Sequence, residues 1–124
     1  MKVQRVPDQM SAMEVMVWTM RPILTPVAED YERAAEILRD GGLAKGVAED
    51  VDGGMCAGGV MVAAMQERLV GTDFRIEGSR VAEDMELDGY VCVQDWNDEP
   101  ERTQEQVIER LEFAAKKLRN EGRS

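Results

Sequence analysis

Apolar residues recur at helical spacing along much of the chain, and the clearest case lies near its C-terminal end. From about 104 to 119, apolar positions follow one another at intervals of three or four residues. Thr103 and Gln106 form a capping-box pair, which is typical of a helix start. The apolar stripe consists of Val107, Ile108, Leu111, Ala114, Ala115 and Leu118. This pattern predicts an amphipathic helix that packs one face against a core.

Two more helices are predicted before it. Thr25 and Pro26 suit the N-cap and first turn of a helix that ends at the glycine pair 41–42. The segment 55–69 is apolar nearly all round, which predicts a central, buried helix. Gly58 and Gly59 disfavour a helix, so they predict a close packing contact or a bend. They lack the spacing of a phosphate-binding loop and the Lys-Ser/Thr pair that follows one.

Shorter elements link these helices. Ser79 is a candidate cap for a short helix over 80–87. The segment 90–93 is β-branched and predicts an extended stretch, whereas 47–51 fits either a short strand or a loop. The predicted fold is mainly α, a compact bundle of four to five helices. A two-stranded β-ribbon of 47–51 with 90–93 is the one sheet that it can contain.

The first 24 residues carry a different pattern. Ser11 and Glu14 form a possible capping box, and the apolar residues that follow cover a wide arc of a helix. Pro22 ends or kinks that helix. Such a surface either packs over the core or binds a partner. We therefore predict one domain over 1–124, with an N-terminal helical extension (1–24), a helical core (25–119) and a frayed tail (120–124).

Composition excludes several functions. The formal charge of −10, from 25 acids and 15 bases, argues against direct binding of nucleic acids and of anionic membranes. The chain has no histidine, which removes the commonest general base and the commonest metal ligand. No stretch is apolar enough for a transmembrane helix, and two spaced cysteines fit a cytoplasmic protein. We expect no metal and no cofactor.

Two segments resemble a known family. The first is Arg33-Ala-Ala-Glu-Ile-Leu38, followed by a glycine-rich turn and Gly54-Met-Cys-Ala-x-Gly59. The second is Trp96-Asn-Asp-x-Pro100-x-Arg-Thr-x-x-Gln-Val107. Together they resemble a family of small uncharacterised proteins, a domain of unknown function, from actinobacteria and their phages. The resemblance covers about residues 30–118, and the glycine pair 58–59 replaces the family's more usual Leu-Gly.

This resemblance implies a compact, mostly helical domain and brings no activity with it. A phage origin would imply a binding role directed at a host protein in the host cytoplasm. The N-terminal Met/Trp-rich helix lies outside the resemblance.

One cluster of residues could bind a small polar ligand. In this interpretation Cys56, Asp98 and Arg102 line a pocket, and the position of Cys56 near a helix start would lower the pKa of its thiol. The structural interpretation is stronger: Trp96 fills the core, Asn97 and Asp98 form a turn, and Arg102 pairs with an acid. Without histidine, a nucleophilic thiol has no good base to activate it.

The sequence does not identify a reaction, and we expect a non-enzymatic protein that binds another protein, or itself. The predicted partner-binding residues are Met13, Met16, Val17, Trp18 and Met20. Two alternatives stay open. Surface acids could mimic nucleic-acid phosphates and occupy a nucleic-acid-binding protein, or the Cys56 cluster could be a ligand site.

Overall fold

Five α-helices make up the described part of the chain. The computed structural model describes residues 11, 20–44 and 55–122. The helices are α1 (Ala28–Gly41), α2 (Ala57–Arg68), α3 (Gly78–Asp84), α4 (Val93–Asn97) and α5 (Gln104–Asn120). The described ranges contain no strand, only two isolated bridges. The predicted helical bundle is therefore confirmed.

The core forms where α1 packs against α5 on one side and against α2 on another. Both α1 and α5 contribute buried alanines, whose small side chains let helices approach closely. These alanines are Ala28, Ala34 and Ala35 in α1, and Ala114 and Ala115 in α5. Ion pairs join the same two helices across their exposed edge, with Arg39 bonded to Glu112 at 2.8 Å and Arg119 bonded to Glu32. The pairing of these positions shows that α1 and α5 run antiparallel.

Helix α2 is buried, as predicted, but α1 takes the central place because it packs against both α5 and α2. The residues of α2 are buried at nearly every position as far as Met65, so α2 has no solvent-facing stripe until its last turn. It begins at Ala57, with Cys56 as its N-cap. Its last turn is tied to α1 because Arg68 donates two hydrogen bonds, of 2.7 and 2.8 Å, to the buried carboxylate of Asp30.

Two helices, α1 and α3, begin at positions that differ from the sequence prediction. Helix α1 begins at Ala28, with Val27 as N-cap instead of Thr25, because the Asp30 carboxylate accepts the Val27 N–H at 2.9 Å. Helix α3 begins after Glu77, so Ser79 lies inside the helix and does not cap it. The predicted box at α5 is confirmed, since the Thr103 side chain accepts the Gln106 N–H and Gln106 accepts the Thr103 N–H.

The extended segment predicted at 90–93 is confirmed only in part, because Cys92 has an extended backbone but the segment forms no strand with any described residue. Val93 starts α4, and the helical spacing lets both Val93 and Trp96 face the core, which a strand would not do. The other half of the predicted ribbon, 47–51, lies outside the described residues. The two observed bridges instead join Ile23 to Arg75 and Leu43 to Met55. Within the described ranges, every helix is too short or too polar to cross a bilayer.

Candidate functional site

Asn97 joins three elements at the centre of the Trp96–Thr103 region. Its side chain has no solvent exposure. Its Oδ1 accepts the Ala57 N–H at the start of α2, and its Nδ2 donates to the Ala44 carbonyl, both at 2.9 Å. Sequence reasoning assigned Asn97 to a local turn. The structure places it at the last position of α4, where its side chain links Ala44, which follows α1, to the start of α2.

Trp96 and Arg102 form a stacked pair beside this bridge. The Arg102 guanidinium carbon lies 4.0 Å from the centroid of the Trp96 ring, in cation–π geometry. Its Nε also donates to the Trp96 carbonyl at 3.0 Å. Trp96 is buried, as the structural interpretation predicted. Among the described residues, the Arg102 side chain contacts this ring and this carbonyl, whereas an acidic partner was expected.

Cys56 is the N-cap of α2, and its thiol is enclosed. The sulfur accepts the Gly59 N–H at 3.2 Å, and Gln94 Nε2 lies 3.5 Å from it. Burial raises the pKa of the Cys56 thiol, although the hydrogen bond from Gly59 opposes this effect. A nucleophilic cysteine would need the pKa to be lowered, so this environment favours the neutral thiol.

The three residues of the predicted ligand pocket all lie around α4. Asp98 caps its C-terminus and accepts a hydrogen bond from Asn97 at 3.2 Å. Asp98 also contributes to the raised pKa of Cys56, because a nearby negative charge disfavours the thiolate. Arg102 is engaged with Trp96, and Cys56 with Gly59 and Gln94. Each group has a structural contact, and ligand binding by the three stays a prediction.

The start of α2 is closed to an anion. The amide of Ala57 is bonded to Asn97, that of Gly59 to the Cys56 sulfur, and that of Val60 to the Cys56 carbonyl. A phosphate site at a helix start needs such amides to be free. Gly58 faces Gln94 closely, since a Cβ at Gly58 would lie 3.1 Å from Gln94 Oε1. The close packing predicted for this glycine is confirmed.

Two acids, Asp30 and Asp84, are buried. Asp30 accepts the two hydrogen bonds from Arg68, and Asp84 accepts the Tyr31 hydroxyl at 2.7 Å. The Arg80 Nε lies 3.5 Å from Oδ1 of Asp84. These acids hold α1 to α2 and to α3. Arg68 lies 38 positions from Asp30 in the sequence, and Tyr31 lies 53 positions from Asp84. The spacing of residues could therefore not predict either contact.

The predicted partner-binding residues fall largely outside the described ranges. Met13, Met16, Val17 and Trp18 belong to this undescribed part. Met20 is described, and 79% of it is exposed. Ile23, three residues further on, is also exposed, although it pairs with Arg75. In the described residues, no group of three or more acidic or cysteine side chains could hold a metal ion.

Comparison with known proteins places this helical arrangement in a family. Residues 22–117 match the model of a family of unknown function, DUF6197. The chain therefore belongs to this family, and the match includes the whole of α1 to α4 and most of α5. No curated protein matches the chain, and no solved structure does. Residues 1–21, which include the predicted Met/Trp-rich helix, precede the matched segment.

Proposed function

We propose that this DUF6197 protein acts by binding another protein through the Met/Trp-rich segment that ends at Met20, without catalysing a reaction. One observation carries the proposal: Met20, the last residue of this segment, is 79% exposed. When a partner covers a large apolar side chain that was exposed to water, the free energy of the system falls. Methionine also adapts its shape to varied apolar surfaces.

The position of this segment relative to the family match supports the same proposal. The match begins at residue 22, so all five predicted partner-binding residues precede it. The matched part builds nearly all of the core, whose buried residues extend from Ala28 to Ala115 within the match, with Leu118 one residue beyond it. A segment that adds apolar side chains outside the matched core is suited to a binding role of its own.

The Cys56 region supports a non-enzymatic role. A buried thiol with a raised pKa is a poor nucleophile at neutral pH. Arg102 stacks on Trp96, and the amides at the start of α2 are bonded within the protein. These groups stabilise the junction of α2 and α4. We therefore assign this region to the fold and the Met/Trp-rich segment to the function.

The resemblance to actinobacterial and phage proteins suggests the class of partner. For a phage-encoded chain, the proposed partner is a host protein in the host cytoplasm. The acidic alternative has one observation in its favour. Acids crowd the segment 95–105, where the single base, Arg102, is engaged with Trp96. In that case the partner would be a nucleic-acid-binding protein with a basic site.

A capture experiment from host lysate tests the proposal. The full chain and its Trp18→Glu and Met20→Glu variants would be immobilised, and the captured proteins identified by mass spectrometry. Val91→Glu is a matched control, because Val91 is 82% exposed and lies next to α4. We expect a protein that wild type and Val91→Glu retain and both N-terminal variants lose. The same captured proteins with all four chains would contradict the proposal.

A second set of variants separates the acidic alternative. Asp95→Asn and Glu101→Gln each remove one exposed acid from the acidic segment 95–105. Capture that depends on these acids and not on Trp18 would support phosphate mimicry. Capture that depends on Trp18 alone would support apolar binding through the N-terminal segment.

A further inference from the structure

The outward face of α5 carries one exposed aromatic residue between two opposite charges. Glu109, Phe113, Lys116 and Asn120 repeat at helical spacing on the side directly opposite the buried stripe. All four are exposed, and Phe113 is 36% exposed. Arg110 stacks on the Phe113 ring, with its guanidinium carbon 4.7 Å from the ring centroid, and about a third of the phenylalanine stays in water.

The two flanking charges have no ion-pair partner among the described residues. Glu112, one turn before Lys116, bonds to Arg39 of α1. Glu109 and Lys116 are two turns apart, a rise of roughly 10 Å, so they cannot pair with each other. Each is thus available to a charge on another molecule.

The order of charges along α5 determines which molecule fits. The acids Glu105, Glu109 and Glu112 occupy its first half, whereas Lys116, Lys117 and Arg119 occupy its second half. An antiparallel copy of the same helix presents the reverse order. With a twofold axis between positions 112 and 113, Glu109 of each copy faces Lys116 of the other. The two Phe113 rings then meet near the axis.

We propose that two copies of this chain associate through the outward faces of α5, in antiparallel orientation. The interface is isologous, so each favourable contact occurs twice. Phe113 supplies the apolar centre, and the reciprocal Glu109–Lys116 pairs fix the register. The proposal does not depend on the N-terminal segment, which is not part of α5, and either proposal can fail alone.

Charge exchange tests this arrangement. The association of full-length chains would be measured by sedimentation velocity over a wide concentration range at low salt. Glu109→Lys places lysine opposite Lys116 of the second copy, so we expect dimerisation to weaken about tenfold or more. The double variant Glu109→Lys/Lys116→Glu reverses both charges and should restore the dimer. Phe113→Ser should weaken it by removing the apolar centre.

Controls separate this interface from other causes. Asp88→Lys makes the same change in net charge as Glu109→Lys at an exposed site outside α5, and it should leave the dimer intact. Circular dichroism would verify that the helices are retained. Salt should weaken the wild-type dimer because it screens the exposed pairs. A wild-type chain that stays monomeric throughout, or a double variant no better than Glu109→Lys, would overturn the proposal.

Discussion

Asn97 Oδ1 accepts the backbone N–H of Ala57 at 2.9 Å, and this bond fixes the start of α2 against α4. The Nδ2 of the Asn97 side chain donates to the Ala44 carbonyl, so one side chain satisfies two backbone groups that the core would otherwise leave unpaired. The Trp96–Thr103 region therefore has a structural role, since it fixes the positions of three chain segments.

Asn97→Ala should destabilise the fold strongly. It leaves the Ala57 N–H and the Ala44 carbonyl without partners, at about 1–3 kcal/mol each. We expect a total loss of about 2–5 kcal/mol in the free energy of unfolding, measured by urea denaturation. Asn120→Ala, at an exposed position, is the matched control and should change stability little. Equal stability of the two variants would contradict the assigned role of Asn97.

The buried bond between Tyr31 and Asp84 links α1 to α3. Tyr31→Phe removes the hydroxyl that donates to the Asp84 carboxylate at 2.7 Å. Because the acceptor is a buried acid, we expect a loss of about 1.5–3 kcal/mol. Tyr90→Phe makes the same chemical change at a half-buried site and serves as the control. Thermal unfolding of both variants would show whether the Tyr31 hydroxyl contributes more.

Gly78 packs closely against the side chain of Cys92. A Cβ at Gly78 would lie 2.5 Å from the Cys92 sulfur, closer than side chains tolerate. Gly78→Ala should therefore destabilise by about 1–3 kcal/mol, as other overpacked sites do. In a Cys92→Ala background the same substitution should have a smaller effect, because the sulfur is gone. A double-mutant cycle with no coupling would show that the contact is not responsible.

The raised pKa of Cys56 predicts a pH dependence of stability. Burial holds the folded-state pKa above the unfolded value of about 8.5, so the unfolded chain loses its thiol proton first as pH rises. The stability from the neutral thiol is complete below about pH 8.5 and is lost as pH rises through the folded pKa. The urea concentration at the midpoint of unfolding would be measured at neutral and at alkaline pH. Its decrease from neutral to alkaline pH should be larger for wild type than for Cys56→Ala. The same fall in both chains would contradict a buried neutral thiol.

The helical periodicity of the sequence predicted the main helices because burial of a stripe follows directly from residue spacing. The cap of α5 was also predictable, since Thr103 and Gln106 satisfy each other locally. The starts of α1 and α3 were not, because Val27 and Glu77 are not residues that usually cap helices. At α1 the cap bond comes from Asp30, inside the helix.

The contacts of the candidate site lay beyond sequence reasoning for a different reason. Asn97 bonds to residues 40 and 53 positions away, and Tyr31 to one 53 positions away. Local spacing carries no information on such partners. The extended segment predicted at 90–93 stops at Cys92, because packing of Val93 and Trp96 against the core outweighed the β-propensity of the sequence.

The most direct test of the central claim is the affinity of the captured partner for two variants of this chain. The dissociation constants would be measured by calorimetry for wild type, Trp18→Glu and Val91→Glu, after circular dichroism has shown that all three are folded. Binding through the Met/Trp-rich segment predicts that Trp18→Glu weakens the complex about a hundredfold, a loss typical of an interface hot spot. Val91→Glu should bind as wild type does. Equal affinity of all three chains would contradict the claim.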